Sequence, residues 1–216
     1  MIGTSNQKDT YEYLKAAGSG FSSDLLTYYN LQGAATYLQP ATAKTETKLT
    51  SYFSRLNYAY DDKYLASFTI RKDGSSRFGP NNKYGIFPSG ALAWKLSNEP
   101  FIYNLDTFSE LKLRASYGIT GNDGVGDYSF LSRLVSWGVT IAPDEFVAGT
   151  EPANLSNPNL KWEETAQTDI GLDMGFFNGK LTATVDVYKK KTTDALLNVP
   201  VGGWWGFNTQ RINSGV

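Results

Sequence analysis

The 216-residue chain has no cysteine and no histidine, and its 20 Lys and Arg against 21 Asp and Glu leave a formal charge of −1. Each shortage removes a class of chemistry. Without cysteine there is no disulfide, thiolate nucleophile or thiolate metal site; without histidine there is no Ser-His-Asp triad and no imidazole metal site. Neither catalysis nor a cofactor or metal is expected. The balanced charge lacks the basic surface that nucleic acid calls for. No apolar run approaches the roughly 20 residues of a membrane-spanning helix. Met1 to Tyr13 also lacks the basic and apolar regions of a secretory signal. What is plentiful is aromatic: 14 Tyr, 12 Phe and 5 Trp.

The strongest positive signal is a period of two. Residues 168–176 put Ile170, Leu172, Met174 and Phe176 on one face and Asp169, Gly171, Asp173 and Gly175 on the other. Asn178-Gly179 follows, and then residues 181–187 alternate again. Asn-Gly between two alternating runs is the strongest short-range hairpin signal. Carboxylates and glycines on one side, with large apolar residues on the other, is the pattern of a membrane barrel with a wet lumen. The apolar face then has the lipid bilayer as its partner.

Residues 1–48 are polar and irregular, with one candidate short helix at 23–31, and are expected to be an external loop region. Six barrel strands with their loops are expected over 49–197, at 49–60, 64–73, 85–96, 111–120, 168–176 and 181–197. The loop at 121–160 has room for a short strand pair of its own. Residues 198–216, with Gly202-Gly203-Trp204-Trp205-Gly206, read as the start of a further external loop or strand. The connections alternate between short and long, as the turns and loops of an outer-membrane barrel do. The strands are as long as tilted membrane strands need to be, and longer than the usual 5–6 residues of soluble domains. Six strands do not close a barrel, for which eight is the minimum. The expected architecture is therefore all-β: an antiparallel transmembrane β-barrel segment, an internal slice of a larger barrel. A soluble secreted β-sandwich that binds carbohydrate shares the alternation and the aromatic loops, and stands as the alternative.

Several groups remain as candidates. Arg55, Arg71, Lys112 and Arg114 fall on the same polar face as Asp169 and Asp173. Asp169 and Asp173 as a glycosidase acid and base is a weaker reading than a hydrated wall of carboxylates. The turns at 73–76 and 122–127 are oxygen-rich but match no calcium-loop spacing. Trp137, Trp204 and Trp205 are candidate contacts for a ligand or a covering protein, against loop packing or an interfacial girdle. Lys189-Lys190-Lys191 would meet lipid phosphates or form a solvated rim.

Four ordered stretches carry a resemblance. They are Arg71-Lys72-Asp73-Gly74-Ser75-Ser76-Arg77-Phe78-Gly79 with its continuation to Phe101; Leu111 to Gly118 with Thr120-Gly121-Asn122; Asn157-Pro158-Asn159-Leu160-Lys161-Trp162-Glu163; and Tyr188 to Asp194 with Leu196-Leu197. In order and spacing over residues 50–216 the chain resembles the SusC/RagA-type TonB-dependent outer-membrane transporters of Bacteroidetes. The resemblance implies a cell outer-membrane location in a Gram-negative bacterium. It also implies import of a glycan or peptide beneath a SusD-like lipoprotein, with energy from the TonB complex acting through an N-terminal plug. The signal peptide, plug, TonB-contacting segment and closing strands of that family have no counterpart in this sequence. In that setting the six lumen charges are expected to face the plug.

Overall fold

The computed structural model describes residues 1–23, 25, 29–105, 107–142 and 145–215, with the side chains of 137–142, 145–146 and 205 left aside. The strands in chain order are β1 (Ile2–Ser19), β2 (Thr36–Tyr60), β3 (Tyr64–Ser75), β4 (Tyr84–Lys95), β5 (Phe108–Asn122), β6 (Leu134–Ala142), β7 (Glu145–Pro152), β8 (Glu163–Phe176), β9 (Leu181–Thr193), β10 (Ala195–Pro200) and β11 (Thr209–Ser214). Seven of them form one antiparallel sheet in the order β1-β2-β3-β4-β5-β8-β9, while β6-β7 and β10-β11 are separate hairpins. The strand pair expected in the loop at 121–160 is β6-β7.

Alternation sets the register, because side chains of a strand point to opposite faces in turn. Across the sheet, Arg71 lies opposite Phe87, Ala93 opposite Arg114, Lys112 opposite Asp173 and Gly171 opposite Asp186, all on one polar face. The other face carries Leu56, Phe68, Leu92, Ile170 and Val187, each more than half exposed. No second sheet covers it among the described residues, which removes the soluble sandwich. A one-residue slip anywhere would turn charges onto this apolar face, so the register is strongly specified.

Two departures from the sequence reading concern its ends. Residues 1–48 are not a loop: β1 and the first half of β2 run through them, making a seventh sheet strand. The register explains why alternation missed them. Strand β2 pairs with β3 only from Leu49 onward, whereas it pairs with β1 back to Thr36. The β1-β2 ribbon therefore projects past the sheet with both faces in water, and such a ribbon needs no apolar stripe. Lys8 bonds Glu46 at 2.6 Å across the ribbon, Lys48 on the same strand as Glu46 bonds it at 2.9 Å, and Lys44 pairs with Glu12 across the ribbon. The helix expected at 23–31 has its centre, 24 and 26–28, outside the described residues.

The second departure is at the sixth expected strand, which ends at Thr193 rather than Leu197. Asp194 takes φ 55°, a left-handed conformation that a short polar side chain tolerates. The chain then leaves the sheet as β10, which pairs with β11, so 195–214 is a folded hairpin with a 3-10 turn at Gly203–Trp205.

The short turns lie at one end. Asp61 and Asp62 (φ 49° and 50°) close β2-β3, and Phe177, Asn178 and Gly179 (φ 54°, 57° and 80°) close β8-β9 at the Asn-Gly signal. Beside them Tyr64 stacks on Trp94 at 5.9 Å and Phe108 meets Phe176 at 5.1 Å. Glu99, in the connector before α1 (Pro100–Tyr103), accepts from Tyr64 Oη at 2.9 Å and Trp94 Nε1 at 3.1 Å.

The packed core is at the opposite end, where the long loops are. Phe78, Phe87, Val125, Leu160, Trp162 and Leu196 are buried together. Trp162 contacts the Phe78 and Phe87 rings at 5.3 and 5.2 Å and donates Nε1–H to the Lys83 carbonyl at 3.1 Å. The Phe87 ring lies so flat over the sheet that a Cβ at Gly85 or Gly121 would run into it. Trp162→Ala leaves a cavity in this cluster and is expected to cost about 3–5 kcal/mol. Denaturant unfolding of the full-length protein in detergent micelles measures that cost, and faster proteolysis within 123–162 locates it.

Candidate functional site

The polar face is built from alternate residues of β2, β3, β4, β5, β8 and β9, and its charges fall into two groups. The first group is tied within the wall. Arg114 on β5 donates Nε–H to Asp173 Oδ2 at 2.8 Å and Nη2–H to Asp173 Oδ1 at 3.0 Å, a forked pair with β8. The same Nη2 reaches Asp186 Oδ1 on β9 at 2.9 Å, so one guanidinium staples three strands. Lys112 stands 4.0 Å from Asp173, and Thr184 donates to Asp173 Oδ1 at 3.2 Å. Gly171 sits beneath the staple. A Cβ there would overlap Asp186 Oδ1 and stand 2.7 Å from Arg114 Nη2, which is why this strand position carries no side chain.

A second staple ties β2 to β3. Arg71 Nε–H is shared between the two oxygens of Asp73, both at 2.7 Å, while Nη2 donates to Ser51 Oγ at 3.0 Å. Asp73 and Ser51 are buried.

The other two expected charges, Arg55 and Asp169, have no side-chain partner among the described residues, and neither has Lys190 on the same face. Tyr188 lies opposite Asp169 and is exposed. Thus the six expected residues all share one face, but they do not form one network: Arg114, Lys112 and Asp173 meet, Arg71 is separate, and Arg55 and Asp169 stand free. Asp186 was missed by sequence reasoning. The Asn178-Gly179 hairpin predicts its pairing, since a two-residue turn there sets Gly171 opposite Asp186.

The loop-end rim is a second polar assembly. Asp127 accepts from Thr47 Oγ1 at 2.7 Å and Arg77 Nε at 2.9 Å, while Asp123 accepts from Ser75 Oγ at 2.8 Å. Tyr128 Oη bonds the Glu46 main chain, so the 123–133 loop is fastened to the ribbon base. The oxygen-rich turns at 73–76 and 122–127 thus bond each other and Arg77, and no group of three or more acidic residues that could hold a metal lies among the described residues. Of the tryptophans, Trp204 is 87% exposed on the β10-β11 hairpin. The Trp137 and Trp205 side chains lie outside the described residues.

The bond from Thr47, followed by Arg77, holds the Asp127 carboxyl below the usual carboxylate range, and Lys8 and Lys48 hold Glu46 down to about 2. A depressed carboxylate adds stability that is complete above its unfolded value, about 4, and is lost as pH falls through the folded one. Hydrogen-exchange protection at 123–133, taken relative to the intrinsic exchange rate at each pH, is therefore expected to be unchanged from pH 7 to 5 and to fall only below about pH 4. Gly171→Ala is expected to open the Arg114 staple and lower the melting temperature of the full-length protein in micelles, with Gly203→Ala, which meets open space, leaving it unchanged.

Residues 3–216 match the family model described as "TonB dependent receptor-like, beta-barrel". The chain is 40% identical to the TonB-dependent receptor P3 of Formosa agariphila over 213 residues, which is 99% of this chain and 21% of that receptor. It is 42% identical to the TonB-dependent receptor SusC of Bacteroides thetaiotaomicron over 170 residues, 77% of this chain and 17% of that one. Among solved structures, that of the RagAB peptide transporter superposes with a TM-score of 0.86 at 33% identity, covering 98% of this chain and 23% of that one. The chain thus spans about a fifth of the length of these relatives. The apolar face is the lipid face and the polar face the lumen of an antiparallel outer-membrane barrel segment, with short turns at the periplasmic end and long loops outside.

Proposed function

Because the chain belongs to the TonB-dependent receptor β-barrel family, we propose that it forms one sector of the wall of an outer-membrane importer of glycans or peptides. The importer works with a SusD-like lipoprotein and draws its energy from the TonB complex through a plug. The observation that carries this reading is the division of the sheet: a face with Arg55, Arg71, Lys112, Arg114, Asp169 and Asp173 backs onto one with Leu56, Phe68, Leu92, Ile170 and Val187. Outer strands β1 and β9 each have a free edge among the described residues. Open edges are not sustained in lipid, so both pair with further strands of the barrel.

Within that wall the staples and the free charges have different work. Arg114-Asp173-Asp186 and Arg71-Asp73-Ser51 hold the wall in shape, while Arg55 and Asp169 project unpaired into the lumen toward a plug or cargo. The external rim of packed loops with the exposed Trp204 is where a lipoprotein lid and a substrate would be met. On cargo, the printed names speak for a peptide: the RagAB structure is that of a peptide transporter.

Growth of a strain lacking the full-length receptor tests this. Growth on one glycan or peptide source supplied at limiting concentration is expected to fail, to return with the intact gene, and not to return when TonB is absent. Undiminished growth of the deletion strain on every such source, or TonB-independent rescue, would overturn it.

A further inference from the structure

The tri-lysine run at 189–191 is divided by its register. Lys190 lies opposite Gln167 and points to the lumen, whereas Lys189 and Lys191 lie opposite Thr168 and Ala166 and point outward to the lipid side. Lys72 points outward as well, opposite Tyr52 and Ile86, with its Nζ 5.0 Å from the centre of the Tyr84 ring. An outward-facing lysine at the bilayer midplane costs about 2–4 kcal/mol, so the height of these three decides what they meet.

Lys72 and Lys189 stand equally far up the wall. Each is eight residues along its strand from the turn end, counted from Tyr64 and Leu181, and Lys191 is ten. At about 3.3 Å per residue and a tilt of about 40°, eight residues rise about 20 Å and ten about 25 Å. The apolar band of such a barrel is about 25 Å tall, so the Lys191 backbone reaches its outer boundary, and the long side chains of Lys72 and Lys189 span the remaining distance of about 5 Å. The opposite boundary is different in kind. Outward positions there are Tyr60, Tyr64, Trp94, Phe176 and Leu181, with no Lys or Arg among them.

The outward acids do not neutralise this row. Glu46 is held by Lys8 and Lys48 higher on the ribbon, and Glu164 forms no ion pair with Lys191. Lys189 and Lys191 have no polar partner among the described residues, and Lys72 has only the Tyr84 ring. A row of unpaired cations at the one level where a leaflet carries its phosphates has a complementary occupant.

We propose that Lys72, Lys189 and Lys191 form a binding row for the phosphate groups of lipid headgroups in the outer leaflet, in which Tyr84 holds the Lys72 side chain upright. The proposal rests on the barrel orientation and not on the importer's cargo, so a failure of the uptake experiment leaves it standing. The row also makes the barrel's seating in the membrane asymmetric, with phosphate contacts outside and aromatic contacts inside.

The test uses the full-length receptor purified in micelles containing equal amounts of phosphatidylglycerol and phosphatidylcholine, with retained lipids counted by native mass spectrometry. The intact receptor is expected to retain phosphatidylglycerol in preference. The preference is expected to fall on the order of fivefold for each lysine removed in the series Lys72→Gln, Lys189→Gln and Lys191→Gln, as the attraction of a basic side chain to an anionic surface implies. The triple Lys→Arg variant is expected to keep it, and Lys190→Gln, which changes the lumen neighbour, is expected to leave it untouched. Equal retention of the two lipids by the intact receptor overturns the proposal. So does an equal loss in Lys190→Gln, which would show that the net charge of the run matters and not the outward row.

Discussion

Hydrocarbon offers no hydrogen bond to a peptide group and no solvation to a charge, and that constraint organises the whole sheet. Each strand from Leu49 to Thr193 that crosses the band is paired on both sides, or offers an edge for a further partner. Below the level of Lys72 and Lys189, each places its charged residues on the face turned away from lipid. The constraint also explains why the pairing is so closely specified: a slip of β8 by one residue against β5 would turn Asp173 to the lipid, part it from Arg114 and bring Leu172 into the lumen. The lumen charges are therefore free to evolve as a network, because the register that keeps them inside is enforced by their apolar neighbours.

Where the band ends, the same backbone continues under different rules. Strands β1 and β2 extend beyond the sheet with both faces wet, and ion pairs such as Lys8-Glu46 replace the apolar stripe as the cross-strand contact. Exposed pairs of this kind contribute little individually, and the base of the ribbon is fixed instead by Tyr128 and Asp127 from the neighbouring loop. The loops pack on one another around Trp162 rather than on lipid. Among the described residues the buried core thus lies at the loop end of the sheet.

This division decides what could be read from the residues. Strands β2 to β5 and the β8-β9 hairpin were legible from Leu49 onward because the two solvents on their two faces select opposite residue types. The ribbon at 1–48 was not, since water on both sides selects nothing, and its strands look like loop. The end of β9 at Asp194 depends on one left-handed residue whose neighbours, Thr193 and Ala195, are compatible with continuing the strand. On the lumen wall the face of each charge was readable but its partner was not. Arg114, Asp173 and Asp186 come from three strands, and their meeting depends on the side-chain space left by Gly171, which alternation alone does not reveal.

The staples and the unpaired charges then stand in a definite relation. A hydrated wall that relied on whatever lies inside it for neutralisation would leave its carboxylates and cations unpaired wherever nothing met them. Here the densest charges neutralise one another across neighbouring strands, and Arg114 would keep both its carboxylates whatever passed before it. Among those left over are Arg55 and Asp169, on β2 and β8, separated by three strands of small lumen residues such as Ser67, Ala91 and Ser116. Opposite charges held that far apart cannot pair with each other, so they stay hydrated and available. The wall is thereby rigid where it is stapled and receptive where it is not.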